Sequence, residues 1–171
     1  MPQTWVALDL ETTGLDPSRA HILEVAAVRI RGDTIAEKFT SLVAYQRRIP
    51  AKITTLTGID KTLTAQAPAL PDVLSQLLAF LGNDGILAHN AVFDRKFLHA
   101  ACRRTARRPP PNAFHCTLAL ARRFLPSQTS YGLHQLAAAL SIPDPKPHHR
   151  ALPDALVTAR LWLILKKMQN R

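Results

Sequence analysis

The chain has 171 residues, 47% of them hydrophobic and 20% charged, with a formal net charge of +10 at pH 7. It has no apolar run of the roughly 18 residues that a membrane span requires, and its two cysteines are too few for a disulfide framework. These properties exclude a membrane-embedded protein and a disulfide scaffold. They predict a soluble, cytoplasmic protein of one domain, since no export signal is visible. The positive charge favours a polyanionic partner such as nucleic acid.

The first part of the chain predicts three consecutive antiparallel strands. The apolar runs Trp5 to Leu10 and Ile22 to Ile30 are typical of strands, and Arg31 to Asp33 forms a turn. Thr34 to Val43 roughly alternates polar and apolar residues, as expected of a half-buried strand paired with its predecessor.

The rest of the chain predicts helices alternating with short strands. From Ile53 the sequence indicates irregular structure, until apolar residues recur at helical spacing over 71–81. A helix through Phe93 and Ala101 ends in a basic, proline-rich segment, Arg103 to Pro111. Further elements are predicted as strands at 86–88 and 114–118 and helices near 118–124, 133–140 and 153–167. This order favours an α/β fold with a five-stranded mixed sheet flanked by helices.

Two carboxylates stand at alternate positions where the first strand ends, Asp9 and Glu11. If the strand continues through Glu11, both side chains project from one face and repel each other. A divalent cation with a preference for oxygen ligands, such as Mg²⁺ or Mn²⁺, relieves that repulsion. A chance D-x-E triplet is the alternative interpretation.

A second motif, His89 to Asp94, begins where a strand ends and places Asp94 near the start of the next helix. Phe93 and Asp94 then point in different directions, so that one can pack while the other faces a site. Alternatively, Asn90 caps the helix, Phe93 belongs to the core, and Asp94 interacts with the helix dipole.

A third motif, His149 to Asp154, combines a loop histidine with an aspartate close to a helix start. Pro153 is tolerated only in the first helical turn, which places Asp154 near the amino terminus. An unperturbed histidine pKa near 6.5 suits a general base at neutral pH. The alternative is a solvated loop histidine and an aspartate that interacts with the helix dipole.

Together with LTGI at 56–59, the motifs DLETTGL at 9–15, HNAVFD at 89–94 and HRALPDA at 149–155 resemble the DEDDh exonuclease family. The resemblance spans nearly the whole chain and implies a ribonuclease H-like fold and a single exonuclease domain, residues 1–171. Cys116 precedes Thr117 where many relatives have an aspartate, but this position is not a metal ligand in the family.

The resemblance implies that Asp9, Glu11 and Asp154 bind one of two divalent cations, Mg²⁺ or Mn²⁺. Asp9 with Asp94, partly through water, holds the second cation, and His149 is the general base. The residues that the resemblance assigns to substrate binding are Thr12, Thr13, Gly14, Leu15, Thr57, His89, Asn90 and Phe93. For Leu15 and Phe93 ordinary core packing remains an alternative.

The function implied is 3′-to-5′ hydrolysis of a nucleic acid from its 3′ end, which releases nucleoside 5′-monophosphates. LTGI and HRALPDA resemble the polymerase-associated, epsilon-like branch. This favours DNA over RNA, a proofreading or repair role, and a DNA polymerase subunit as a candidate partner. An RNA-trimming enzyme and an inactive docking module are the alternatives. Basic residues that either contact the phosphates or form a solvated loop are Arg103, Arg104, Arg107 and Arg108. A zinc site at Cys102, His115, Cys116 and His148 matches no common ligand spacing.

Overall fold

The computed structural model describes residues 4–146 and 149–169. These residues form five strands and seven helices. The elements follow one another in the order that the sequence predicts, except that two short helices were not predicted. The elements are β1 (Thr4–Thr12), β2 (Ile22–Arg31), β3 (Thr34–Leu42), α1 (Ala51–Thr57), α2 (Lys61–Ala65), α3 (Leu70–Leu81), β4 (Gly85–Ala88), α4 (Ala91–Arg104), β5 (Phe114–Cys116), α5 (Thr117–Phe124), α6 (Leu133–Ala139) and α7 (Ala151–Gln169).

The five strands form one sheet with the order β3-β2-β1-β4-β5, and β1 lies in its centre. β1 pairs antiparallel with β2 and β2 antiparallel with β3, which confirms the predicted three-strand opening. β4 is parallel to β1, and β5 is parallel to β4. Because the carboxyl ends of parallel strands meet at one edge of a sheet, the residues that follow β1 and β4 are brought together there.

Each face of the sheet is covered by helices, and the alternation along β1 decides which residues they meet. Val6 and Leu8 point into the cluster that contains Leu77 of α3 and Phe97 of α4. On the opposite face Trp5 and Ala7 belong to a second cluster that includes residues of α7. That helix presents alanines at intervals of one turn, Ala151, Ala155 and Ala159, which let it lie close to the sheet.

Gly85 is needed where β4 starts, because the ring of Trp5 on β1 lies directly over it. A Cβ atom at residue 85 would stand 2.4 Å from Cζ3 of Trp5. The indole cannot easily move away, since it also contacts Trp162, with ring centroids 4.8 Å apart, and His115. The missing side chain therefore allows Trp5 to fill the space between the sheet and α7.

Some predicted boundaries and one predicted cap were wrong. The region after Ile53, predicted as irregular, contains α1 and α2, which have seven and five residues and are too short to show a helical period. Asn90 precedes α4, but its backbone is left-handed, with φ of 68°, and its side chain makes no capping hydrogen bond. The strand predicted over 114–118 ends at Cys116, and α7 starts at Ala151 rather than at Pro153. In the described part of the chain, no helix is long and apolar enough to cross a membrane.

Candidate active site

The end of β1 presents two carboxylates on the face of the sheet that α7 covers. Trp5 and Ala7 face α7, and the alternation of the strand puts Asp9 and Glu11 on the same side. β1 continues to Thr12, so that both carboxylates belong to regular β structure. The start of α7 lies on this same face, where Ala151 packs with Trp5 and Ala7.

Asp154 supplies a third carboxylate from the first turn of α7, and it is only 7% exposed. Asp9, Glu11 and Asp154 each offer one carboxylate oxygen, and these oxygens lie within 4.8 Å of one another. Acidic groups from opposite ends of the sequence thus converge at one point on the sheet.

Asp94 lies beside this group of three, in the first turn of α4, and is 3% exposed. It is brought there because α4 follows β4, the parallel neighbour of β1. Among the charged groups that act on Asp9, Asp94 raises its pKa most. Backbone amides of Asp94 and Leu10 form hydrogen bonds with the Asp94 carboxylate.

The four carboxyl groups resist ionisation in one another's presence. Burial and then the charges of Asp94, Asp154 and Glu11 raise the pKa of Asp9 well above its usual value. Burial, and then the charges of Asp154 and Glu24, raise the pKa of Glu11 to about 8. Burial also raises the pKa of Asp94 to about 8 and that of Asp154 to about 6. A cation placed among these groups would favour their ionised forms.

The donors fit a divalent cation that prefers oxygen. All four are carboxylates, the ligands that Mg²⁺ and Mn²⁺ favour. Moreover, Oδ1 of Asp154 is buried and accepts no hydrogen bond from any described residue. A buried carboxylate oxygen without a partner is costly unless an ion or water occupies the space beside it.

An ion pair beside the carboxylates fixes the start of α7. Glu24 of β2 stands opposite Glu11 in the β1–β2 ladder and is 4% exposed. It accepts hydrogen bonds from Nε and Nη2 of Arg150, at 2.9 and 2.6 Å, and from the backbone amide of Ala151, at 2.9 Å. Glu24 therefore anchors the residue that directly follows His149.

His149 stands on the loop before α7, where its side chain is exposed and its backbone is left-handed, with φ of 54°. One of its ring nitrogens lies within 4.8 Å of an oxygen of Asp154 and of a nitrogen of His134. An exposed imidazole on a loop beside buried carboxylates can reach a molecule that enters the site from solvent.

Comparison with known proteins gives the family. Residues 6–162 match the family model RNase_T, described as exonuclease. The chain belongs to this exonuclease family. The match covers nearly all of the chain and confirms both the resemblance to the DEDDh exonucleases and the predicted enzyme class, a 3′-to-5′ exonuclease.

The relatives differ in length. The epsilon subunit of DNA polymerase III from Aquifex aeolicus is 34% identical over 160 residues, which cover 94% of this chain and 79% of that protein. The PolC-type DNA polymerase III of Thermotoga maritima is 37% identical over 168 residues, and there this chain spans only 12% of the relative. Exonuclease X, solved in complex with 5′ overhanging duplex DNA, has a TM-score of 0.79 and 27% identity, covering 98% of this chain and 93% of that one.

The loop after β1, which follows the two carboxylates of that strand, borders a cleft. Thr13, Gly14 and Leu15, all predicted to bind substrate, line this cleft of about 310 Å³ together with Arg19 and Arg48. Leu15 is 85% exposed, which excludes core packing as the explanation of that residue. An exposed leucine at the rim of a cleft is available to contact an apolar surface such as a base.

The conformation of this loop is fixed by its threonines. Oγ1 of Thr12 donates to the carbonyl of Gly14 at 2.6 Å, and Oγ1 of Thr13 accepts from the amide of His21 at 2.9 Å.

Phe93 is partly buried and packs against Phe97, with ring centroids 4.7 Å apart. It therefore lies at the edge of the core.

Two other predicted substrate residues use their polar atoms within the protein. Nε2 of His89 donates to the carbonyl of Tyr131 at 2.9 Å, while Nδ1 lies 3.1 Å from Oγ1 of Thr117. Thr57 is buried and bonds to the carbonyl of Ile53 and the amide of Ile59. These contacts give His89 and Thr57 a supporting place in the fold.

A basic groove borders the same loop on its other side. It is lined by Asp16, Pro17, Arg95, Lys96, His99 and Arg103. Among the described residues no carboxylate lies within ion-pair distance of Arg95, Lys96 or Arg103. Three cations without acidic partners are available to bind an anion.

The four arginines from the basic segment do not act alike. Arg103 is exposed in the basic groove, and Arg108 is exposed as well. Arg104 instead donates to the carbonyls of Ala20 and Pro17, at 2.7 Å each, and so joins α4 to the loop after β1. Arg107 donates to Oγ of Ser75 at 2.7 Å.

Sequence reasoning missed His134 and Asp144. His134 of α6 lies with Nε2 at 3.5 Å from Oδ1 of Asp154 and with Nδ1 at 3.1 Å from Oδ2 of Asp144. Neither residue belongs to a recognised motif, and only the packing of α6 on α7 brings them to the site. His148, one of the four residues of the zinc site considered from the sequence, lies outside the described residues.

Proposed function

We propose that the chain is a divalent-cation-dependent exonuclease that removes nucleoside 5′-monophosphates from the 3′ end of DNA, at single-stranded or mispaired ends. The observation that carries this proposal is the convergence of Asp9, Glu11 and Asp154, whose carboxylate oxygens lie within 4.8 Å of one another, with Asp94 beside them. Residues 1–171 then act as one exonuclease domain, of which 6–162 match the family model.

The four carboxylates, Asp9, Glu11, Asp94 and Asp154, are the ligands of two cations, Mg²⁺ or Mn²⁺. When bound, the cations would lower the pKa of the attacking water and stabilise the charge that develops on the phosphate and the departing 3′ oxygen. Asp9 interacts with all three of the other carboxylates, which suits a ligand shared by both cations.

His149 removes the proton of the water that attacks the terminal phosphodiester. Its exposed position lets the imidazole approach the substrate, while the Glu24–Arg150 ion pair fixes the backbone directly after it. A general base at such a position contributes about 10²- to 10⁴-fold to the rate.

The terminal nucleotide binds in the cleft next to the loop after β1. Leu15 contacts the base from its exposed position, and Gly14 lets the backbone approach the sugar. Thr12 and Thr13 hold the loop in place through the hydrogen bonds described above, while Asn90 and Phe93 border the site from the start of α4. The preceding phosphates lie along the basic groove at Arg95 and Arg103.

DNA is preferred as substrate because the Aquifex relative is a DNA polymerase III subunit and Exonuclease X was solved with duplex DNA. By the same reasoning a DNA polymerase subunit is a candidate partner.

The test is a cleavage assay with 3′-labelled and 5′-labelled single strands of matched DNA and RNA, in Mg²⁺, Mn²⁺ or EDTA. We expect stepwise shortening from the 3′ end of DNA, loss of activity in EDTA, and loss of activity in Asp9→Asn. Asp33→Asn is the matched control, since Asp33 lies in the β2–β3 turn at the opposite end of the sheet. Chelator-resistant cleavage would refute the metal requirement. Faster degradation of RNA would identify an RNA-trimming enzyme, and an inactive wild type would favour a docking module.

A further inference from the structure

A second group of metal-ligating side chains overlaps the four-carboxylate centre. His134, His149 and Asp154 each offer one ligand atom, and these atoms lie within 4.8 Å of one another. Asp154 belongs to both groups, whereas the two histidines belong only to this one. The second group therefore offers two nitrogens and one oxygen where the first offers oxygens alone.

The orientation of His134 is set by Asp144. Nδ1 of His134 lies 3.2 and 3.1 Å from the two carboxylate oxygens of Asp144, so that Nδ1 carries the hydrogen and donates it. The other ring nitrogen, Nε2, is directed towards Asp154. A carboxylate behind a histidine, fixing its tautomer and raising its basicity, is the usual second shell of a metal-bound imidazole.

The same oxygen of Asp154 that faces the four-carboxylate centre also faces the two histidines. This oxygen, Oδ1, is buried and, among the described residues, has no hydrogen-bond partner, although Nε2 of His134 is 3.5 Å away. Two atoms bound to one tetrahedral zinc ion at about 2.0–2.1 Å stand roughly 3.3–3.5 Å apart. The distance from Nε2 to Oδ1 fits that spacing.

We propose that His134, His149 and Asp154 form a binding site for Zn²⁺ that inhibits the exonuclease. Two imidazoles and one carboxylate suit Zn²⁺, while Mg²⁺ prefers the oxygen ligands of the four-carboxylate centre. Zinc in the proposed site occupies the lone pair of the general base and an oxygen of a catalytic carboxylate. The inhibition, unlike the binding, rests on the proposed function.

Binding is tested by isothermal titration of the wild-type protein with ZnCl₂ in a buffer that contains Mg²⁺, which competes with zinc for Asp154. We expect one zinc-binding event per chain. Asp144→Asn should weaken it by about 10- to 100-fold, the usual effect of losing a second-shell carboxylate. His134→Gln should weaken it at least as much, whereas His99→Gln, the matched control in α4, should bind zinc like the wild type.

Unchanged zinc affinity in both His134→Gln and Asp144→Asn would overturn the site. A thermal melt in EDTA identifies any variant that fails to fold. If His134→Gln fails to fold, the more conservative Asp144→Asn still decides the test.

Inhibition is tested by adding ZnCl₂ to the Mg²⁺-supported cleavage of a labelled single strand, with each variant normalised to its own zinc-free rate. The zinc concentration for half-inhibition should rise in His134→Gln and Asp144→Asn by the same factor as the dissociation constant. Zinc that binds the wild type without slowing it would overturn the regulatory role. A wild type inactive in Mg²⁺ alone would instead refute the proposed function and leave the titration as the test of the site.

Discussion

The burial of the four neighbouring carboxyl groups, together with their mutual repulsion, should make the metal-free protein less stable than a variant that lacks one of them. In Asp154→Asn the side chain keeps its shape but loses its charge. Burial and neighbouring negative charges raise the pKa of Asp154 from 3.8 to about 6. At 1.36 kcal/mol per pKa unit, ionising this group in the folded state at pH 8 costs about 3 kcal/mol.

The assay is thermal unfolding at pH 8 in EDTA. A change of 1 kcal/mol shifts the Tm of a domain of this size by about 2–4 °C, so Asp154→Asn should unfold roughly 6–12 °C above the wild type. Because the folded-state pKa is raised, the wild type loses stability as the pH rises from about 4 to about 6, and the variant does not share this loss. The difference should therefore shrink as the pH is lowered.

Mg²⁺ should reduce the difference in thermal stability between Asp154→Asn and the wild type. A ligand at 100 times its dissociation constant stabilises the folded state by about 2.7 kcal/mol, and the wild type gains more of this than a variant without one ligand. Asp33→Asn, an exposed carboxylate in a turn, should change the Tm little in either buffer. A Tm of Asp154→Asn at or below that of the wild type in EDTA at pH 8 would refute the reasoning.

Three further predictions concern other parts of the molecule. His149→Ala should lower kcat by about a hundredfold or more, as loss of a general base does, with Mn²⁺ binding largely retained in a titration. Gly85→Ala should lower the free energy of unfolding in urea by about 1–3 kcal/mol, because its Cβ would stand 2.4 Å from the ring of Trp5. Arg95→Glu combined with Arg103→Glu should raise the KM for a single-stranded 20-mer and reduce the dependence of KM on salt. The double variant should hydrolyse the p-nitrophenyl ester of thymidine 5′-monophosphate like the wild type, because this substrate has no preceding phosphates.

Each of the three has a matched comparison. Gly14→Ala adds a Cβ at an ordinary 3.6 Å from the Cβ of Ala20 and should lower the free energy of unfolding less than Gly85→Ala. Equal losses of stability in the two variants would contradict the role given to Trp5. Lys38→Glu with Lys167→Glu makes the same change of charge outside the basic groove. An equal rise in KM for that pair would mean that net charge, and not the groove, attracts the substrate. Full activity in His149→Ala would transfer the role of base to another group.

The parts of the site that could be predicted are those in which local sequence fixes the direction of a side chain. The alternation of β1 puts Asp9 and Glu11 on one face, and Pro153 restricts Asp154 to the first turn of a helix. Neither statement gives a distance between them. That distance depends on α7 packing across β1, which the small residues Ala7 and Ala155 permit.

His134 could not be predicted, because nothing near it in sequence indicates a site. Its approach to Asp154 depends on how α6 packs against α7, in the third apolar cluster to which Leu136 and Val157 both belong. For Arg104 and Arg107, by contrast, the sequence pattern suggests a role that the structure does not give them. A run of arginines predicts a basic surface, yet two of them are used to hold loops and helices together.

The ion pair of Glu24 and Arg150 accounts for the charge balance of the proposed metal centre. Glu24 stands across the ladder from Glu11 and would be a fifth negative charge beside four carboxylates. Arg150 neutralises it through two hydrogen bonds, so that the local charge remains near −4, which two divalent cations match. Removing the guanidinium would leave a buried carboxylate unpaired, at a cost of about 3–5 kcal/mol. It would also release the backbone next to His149. The same ion pair therefore affects both the charge of the proposed metal centre and the position of His149, the proposed base.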